Sequence, residues 1–239
     1  MFNKEQLDFI NSDIINLKLL GIPGGGKTRC IIEHIHNNIK KENLVNSNEY
    51  LICTFSRKAK QDFLEKGRKY VDKIKFKDVK NRKFAFNINN VKTIHSISGV
   101  ILKKRKKTTS SLNTCVLGGL KILEENKEDD IEKFAKIKII YIDEAQDISD
   151  IQNSFINLLS KRLNAKLCYI GDPNQNIYQF QNGSDRYLMD YKADKTVELV
   201  INYRSTPELI DFYNEIKPHQ MCKNMSTEKQ GTFNKPIIY

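Results

Sequence analysis

The feature that most constrains how this chain folds is a glycine-rich octapeptide near its N-terminus. It consists of Gly21, Ile22, Pro23, Gly24, Gly25, Gly26, Lys27 and Thr28. Every fixed position of the pattern G-x-x-x-x-G-K-[ST] is matched. An apolar run at 17–20 precedes the octapeptide, and a helical pattern at 27–40 follows it. A strand, a glycine-rich loop and a helix in this order predict a loop that cradles phosphate groups.

The residue types of the octapeptide suit a nucleoside triphosphate with Mg²⁺. Glycines allow the positive φ angles that bring backbone N–H groups against phosphate oxygens. The positive end of the following helix dipole points at the same anion. Lys27 would supply an ammonium group to the β- and γ-phosphates, and the Thr28 hydroxyl would bind Mg²⁺.

The rest of the chain alternates short apolar runs with helical patterns. Predicted strands are 17–20, 50–54, 138–142, 166–170 and 196–200. Predicted helices are 27–40, 57–70, 150–161 and 207–215. This alternation predicts an α/β fold, a parallel sheet with helices on both faces and the ligand at the carboxyl edge of the strands.

A second chemical signal lies where an apolar strand at 139–142 ends on Asp143 and Glu144. In P-loop proteins a strand of this kind delivers a carboxylate to Mg²⁺. Asp143 would then hold the metal, and Glu144 would act as the general base for the attacking water. Acidic residues also suit an ordinary helix N-terminus. The octapeptide favours the catalytic interpretation.

Composition places limits on the class of protein. The chain has 239 residues, with 40 Lys and Arg against 29 Asp and Glu, a net charge of +11. Such a charge suits a polyanionic partner, although a biased amino-acid composition explains it equally well. The cysteines are far apart and predict reduced thiols. No apolar run is long enough for a membrane span and no leader is evident, so we expect an intracellular, soluble protein.

Residues 143–147, with the sequence DEAQD, resemble motif II of UvrD/Rep-like superfamily 1 DNA helicases. Further segments resemble motifs of the same family, in the family's order. They are NKEQ at 3–6, TFSRKA at 54–59, TIHS at 93–96, GDPNQNIYQF at 171–180 and NYRS at 202–205. The resemblance implies a RecA-like domain that binds and hydrolyses ATP with Mg²⁺.

The resemblance also assigns expected roles around the nucleotide. Gln6 would read the adenine edge, Tyr203 would stack on adenine, and Arg29 would flank the base or ribose. Gln175 would sense the γ-phosphate, and Arg204 would contact it. Each of these side chains, considered alone, also suits an ordinary structural role.

Single-stranded DNA is the partner that the resemblance implies. Phe55 and Phe180 occupy positions where the family presents aromatic side chains that stack on bases. The other predicted DNA contacts are Arg57, Lys58, Thr93, His95 and Tyr178.

The domain prediction follows from the same motifs. Residues 1–205 would form the motor domain, with a reduced, mainly helical insert at about 97–136 that carries an exposed basic loop at 103–107. Residues 206–239 would be a linker and the truncated start of a second RecA-like domain, whose motifs are missing. The alternatives are an ATP- and DNA-binding module that needs the second motor domain from a partner chain, or a fragment without turnover. A simple P-loop kinase explains 143–147 and 202–205 less well.

Overall fold

The computed structural model describes residues 2–45, 47–73, 85–107, 111–175, 185–217 and 223–227. Two of the predicted DNA contacts, Tyr178 and Phe180, lie outside these ranges. The predicted start of a second domain also lies largely outside them.

Six parallel strands form the main sheet, in the order β3-β2-β4-β5-β1-β6. They are β1 Leu17–Gly21, β2 Tyr50–Thr54, β3 Val91–Thr93, β4 Ile139–Asp143, β5 Lys166–Gly171 and β6 Lys195–Leu199. Two short strands, β7 Ile201–Asn202 and β8 Ser226–Thr227, pair separately. Because all six strands of the main sheet are parallel, their carboxyl ends meet at one edge.

Helices cover both faces of the sheet. They are α1 Lys4–Ile10, α2 Lys27–Lys40, α3 Arg57–Lys73, α4 Ile94–Lys104, α5 Leu112–Glu124, α6 Asp150–Leu163, α7 Arg186–Asp190 and α8 Pro207–Ile216. One apolar core joins one face of the sheet to α1, α2 and α3, and a second joins the other face to α4, α5 and α6. Strands β2 and β4 are buried along their whole length, as expected for parallel strands covered on both faces. The predicted α/β class is confirmed.

The structure contains further elements that were not predicted individually: α1, α4, α5, α7, β3, β7 and β8. All five predicted strands and all four predicted helices are present, with ends shifted by a few residues. Strand β3 was not predicted, because three residues are too few to show an alternating pattern.

The basic run at 103–107 differs in part from the exposed loop that we predicted. Lys103 and Lys104 lie in the last turn of α4. The Arg105 guanidinium contacts the Asp130 carboxylate, and the Lys104 ammonium lies 2.9 Å from Glu132. The physical reason is the acidic 3₁₀ segment Glu128–Phe134, which lies beside the end of α4 and neutralises part of the run.

Within the described ranges, every helix is too short or too polar to cross a bilayer.

Candidate nucleotide-binding site

The phosphate-loop candidate connects β1 to α2 through backbone that only glycine adopts easily. Gly24 has φ +72° and Gly26 has φ +90°. Gly21 is required for a different reason, because a Cβ there would lie 2.7 Å from Cγ of Lys27. The Lys27 side chain folds back over the loop, and its Nζ donates to the Gly21 carbonyl at 2.7 Å. The local conformation agrees with the one predicted from the sequence.

A cavity of about 270 Å³ opens above this loop. The loop after β1, the end of β4 and the segment after β5 deliver residues to it from one edge of the main sheet, and the turn after β7 adds Arg204. The predicted site residues that line it are Ile22, Pro23, Gly24, Gly26, Lys27, Thr28, Arg29, Asp143, Glu144, Gln175 and Arg204. Two residues that we did not predict, Lys66 and Tyr70 of α3, complete the lining.

The acidic side of the cavity has unusual electrostatics. Asp143 ends β4 and is 6% exposed. Burial raises the pKa of Asp143, the adjacent Glu144 raises it further, and the ammonium groups of Lys27 and Lys66 oppose this shift. Two close carboxylates at a buried position are stabilised by a cation. Glu144 itself has a left-handed backbone, with φ 53°, which is rare outside glycine.

These residues fit Mg²⁺ in its usual nucleotide complex. Mg²⁺ binds hard oxygen ligands and takes several of them from water and phosphate, so a protein supplies only one or two. The Thr28 hydroxyl and the Asp143 carboxylate both line the cavity. In the part of the chain that the structure describes, no group of three or more His, Cys, Asp or Glu forms a metal site by itself. Two oxygen donors fit a metal that takes its remaining ligands from water and phosphate.

A hydrogen-bonded chain through Gln146 joins Glu144 to the segment after β5. Gln146 Nε2 donates to Glu144 Oε2 at 3.0 Å, and Gln146 Oε1 accepts from the Asp172 N–H at 3.2 Å. Gln175 Nε2 donates to Asp172 Oδ2 at 2.7 Å. A Cβ at Gly171 would lie 2.3 Å from Gln146 Oε1, so glycine leaves the room that this contact needs. These hydrogen bonds fix Glu144 and Gln175 relative to each other.

Gln6 ties α1 to the phosphate loop. Its amide nitrogen donates to the Gly25 carbonyl at 2.9 Å, and its amide oxygen accepts from the Asn3 N–H at 3.1 Å. Gln6 is 2% exposed. These contacts hold the loop in place, and the role that we predicted for Gln6 at the adenine edge stays a prediction.

Arg29 lies against two aromatic rings. Its guanidinium carbon is 3.8 Å from the centre of the Phe2 ring and 5.4 Å from that of Tyr70. The Tyr70 hydroxyl donates to Glu33 Oε1 at 2.5 Å, which fixes the second ring. Contacts of a guanidinium with aromatic faces are favourable. Phe2 and Tyr70 are absent from the sequence prediction because neither belongs to a recognisable motif.

Of the predicted DNA contacts that the structure describes, two line a common cavity and three do not. Phe55 and Lys58 line a second cavity of about 190 Å³, which shares Asp143 and Glu144 with the first. His95 is half-buried, and burial lowers its pKa, with a smaller contribution from Arg57.

Thr93 has a structural role in helix capping. Its hydroxyl accepts from the Ser96 N–H at 3.2 Å at the start of α4, and the residue is 8% exposed. Its predicted contact with DNA stays a prediction.

A parallel sheet with a phosphate loop after β1 and an acidic pair after β4 defines the P-loop class of nucleotide-binding domains. The chain belongs to the AAA domain family, whose model matches residues 9–181, and within it to the UvrD/Rep-like superfamily 1 helicase type.

Similar proteins agree with this assignment. A protein of Acanthamoeba polyphaga mimivirus, assigned as an ATP-dependent DNA helicase, is 34% identical over 236 residues, which is 96% of this chain and 32% of that protein. The RecB subunit of the RecBCD enzyme from Borreliella burgdorferi is 34% identical over 162 residues, which is 61% of this chain and 13% of that subunit. The crystal structure of the Pif1 helicase from Candida albicans superposes with a TM-score of 0.50 at 13% identity, covering 83% of this chain and 40% of that one. This last similarity concerns the fold alone.

Proposed function

We propose that this domain binds ATP with Mg²⁺, hydrolyses it and contacts single-stranded DNA, as the ATP-binding part of an ATP-dependent DNA helicase. One observation carries the proposal. Lys27, Asp143, Gln175 and Arg204, which belong to separate motifs in the sequence, line a single cavity. The names of the similar proteins support the same activity. The chain spans about a third or less of their lengths.

The phosphates of ATP would lie on the loop at 21–28. Lys27 would exchange the Gly21 carbonyl for phosphate oxygens, since its ammonium already lies over the loop. Thr28 and Asp143 would hold Mg²⁺, which supplies positive charge that neutralises the phosphates. On the base side, the proposed contacts are Arg29 and Tyr203.

Hydrolysis would proceed by in-line attack of water on the γ-phosphate. Glu144 would orient this water and accept its proton, and Gln146 keeps the carboxylate in place through its hydrogen bond. Arg204 and Lys66 would stabilise the charge that develops on the transferred group, because both line the cavity. Gln175 would orient the γ-phosphate.

Single-stranded DNA would affect the same residues through the second cavity. Phe55, Lys58 and Glu144 all line this cavity. A base stacked on Phe55 would be worth roughly 1–3 kcal/mol, with Lys58 at a neighbouring phosphate. Strand binding and hydrolysis would therefore influence each other over a short distance.

The test is ATP hydrolysis by the purified chain with and without single-stranded DNA. Lys27→Ala and Glu144→Gln are the informative variants, and Lys121→Ala is the matched control because Lys121 is exposed on α5. We expect DNA-stimulated hydrolysis in the wild type and the control. Both site variants should lose it, by roughly 100-fold or more. Hydrolysis that both site variants retain would refute the assignment of the site.

A second candidate function is an ATP- and DNA-binding module that turns over only when a partner chain supplies a second motor domain. The exposure of Tyr203 supports it, because this residue adjoins Arg204 of the cavity lining and 38% of it is exposed for a further surface to cover. This function predicts ATP binding that depends on Lys27 without hydrolysis by the chain alone. Equilibrium binding of a fluorescent ATP analogue, measured beside the hydrolysis assay, distinguishes the two functions.

A further inference from the structure

Asn202 lies at the end of β7 and contacts the phosphate loop across the carboxyl edge of the sheet. It is 2% exposed. Its Nδ2 donates to the Pro23 carbonyl at 2.8 Å, although the two residues are 179 positions apart in sequence. Its Oδ1 accepts from the N–H groups of Arg204 at 2.7 Å and Ser205 at 2.8 Å. One amide therefore holds the turn that carries Arg204 and attaches it to the loop.

Two further contacts join the same segments. The Tyr203 N–H donates to the Gly24 carbonyl at 3.3 Å. A Cβ at Gly24 would lie 3.0 Å from both Asn202 Oδ1 and Arg204 Cβ, so these side chains pack against the loop as closely as glycine permits. The loop and the turn behave as one packed unit, and neither can shift alone without breaking these contacts.

The chemistry of position 202 requires a carboxamide. The site has one carbonyl that needs a donor and two N–H groups that need an acceptor, and an asparagine side chain supplies both. Aspartate would retain the acceptor but would place a carboxylate against the Pro23 carbonyl. Alanine would remove the partner of all three backbone groups, which are partly buried, and leaving such groups unpaired is costly.

We propose that Asn202 is a positioning residue for the ATP site, which fixes Arg204 relative to the phosphates that occupy the loop. The inference rests on the proposed function. The two ends of the amide have separate tasks: Oδ1 shapes the turn and Nδ2 sets its distance from the loop. Asn202 acts on ATP through Arg204 and does not itself line the cavity.

The experiment compares Asn202→Asp, Asn202→Ala, Arg204→Ala and the double variant Asn202→Asp/Arg204→Ala. Asn157→Asp is the matched control, since Asn157 is an exposed asparagine on α6. Hydrolysis gives kcat and KM, a fluorescent ATP analogue gives Kd, and urea denaturation reports the folded fraction. The Asp variant keeps the test valid if the Ala variant folds poorly.

For Asn202→Asp we expect kcat to fall roughly tenfold while KM rises less than about threefold, because Lys27 and Thr28 still hold the phosphates. In the Arg204→Ala background the same substitution should lower kcat by less than about twofold, since the side chain that Asn202 positions is gone. If the domain turns over only with a partner chain, the Kd of the ATP analogue is compared instead: it should rise about twofold in Asn202→Asp and show no further rise when Asn202→Asp is added to Arg204→Ala.

The inference is overturned if Asn202→Asp has the same effect with Arg204 present and with Arg204→Ala. It is also overturned if Asn202→Asp behaves as the wild type. In either case a wild type that binds ATP in a Lys27-dependent way would leave the proposed function intact. A wild type that fails to bind ATP would overturn both.

Discussion

Gly24→Ala should weaken ATP binding, although the sequence motif leaves position 24 free. Two effects add. Alanine at φ +72° costs about 1–2 kcal/mol, and crowding of its Cβ at 3.0 Å from Asn202 Oδ1 and Arg204 Cβ costs about 1–3 kcal/mol. The smaller entropy of the unfolded alanine chain offsets about 0.4–1 kcal/mol. The net cost in free energy of unfolding is about 3 kcal/mol.

This cost falls on the arrangement of loop and turn that binds nucleotide. If the strain and crowding appear wholly in binding, to which the unfolded chain does not contribute, the Kd for ATP rises roughly 300-fold. If part of it appears as global destabilisation, the midpoint of urea denaturation falls and the change in Kd is smaller. The assay is therefore titration calorimetry with ATP and Mg²⁺, performed beside urea denaturation on the same samples.

Gly99→Ala is the matched control. Gly99 lies inside α4, has no positive φ, and nothing lies within 4 Å of the Cβ that alanine would add. We expect unchanged ATP binding and a stability gain of up to about 1 kcal/mol from the higher helix propensity of alanine. A Gly24→Ala protein with wild-type Kd and wild-type stability would refute the argument from backbone angle and close contact.

Three other predictions concern separate parts of the molecule. Phe2→Ala should raise the Kd for ATP by roughly 2- to 10-fold in calorimetry, because Arg29 loses an aromatic contact. Phe2→Tyr keeps an aromatic ring and should bind ATP with the wild-type Kd. A wild-type Kd in Phe2→Ala would contradict the prediction. Asp147 has a pKa raised to about 7 by burial and by a neighbouring carboxylate. Since the folded protein holds this proton more tightly than the unfolded chain, stability falls as pH rises from about 4 to about 7. Asp147→Asn should remove this loss and raise the free energy of unfolding at pH 8 by roughly 1–2 kcal/mol. This is less than the full pKa shift implies, because water in the adjoining cavity screens the charge. A variant whose stability in urea depends on pH as much as that of the wild type would contradict the prediction. Gly119→Ala should destabilise by about 1–3 kcal/mol because the new Cβ lies 2.0 Å from Ser98 Oγ. Adding Ser98→Ala should recover part of the urea midpoint, and a loss that the second substitution leaves unchanged would locate the strain elsewhere.

The sequence was sufficient for the parts of the site that depend on local pattern. The octapeptide fixed the turn after β1 because its glycines, Lys27 and Thr28 act within one short segment. The apolar run before Asp143 predicted a buried strand, and parallel strands necessarily end at the same edge. The meeting of these two elements in one cavity could therefore be predicted without coordinates.

The parts that could not be predicted depend on packing between distant segments. Lys66 and Tyr70 reach the cavity because α3 packs beside α2, and nothing in their own sequence indicates this. Gln146 was visible only as one letter of a motif, and its bonds to both Glu144 and the Asp172 N–H need the strand order. Long-range contacts of this kind follow from tertiary structure and leave no periodic signal.

The contact between Lys27 Nζ and the Gly21 carbonyl has a consequence for which anions the loop accepts. The ammonium is satisfied by a neutral oxygen of its own chain, so an anion that binds the loop must compete with that oxygen. A single inorganic phosphate or sulfate gains few contacts in exchange. A triphosphate offers the same ammonium several oxygens at once and also occupies the backbone N–H groups of the loop. If the loop binds ATP as proposed, this competition makes it select polyphosphate chains over single small anions.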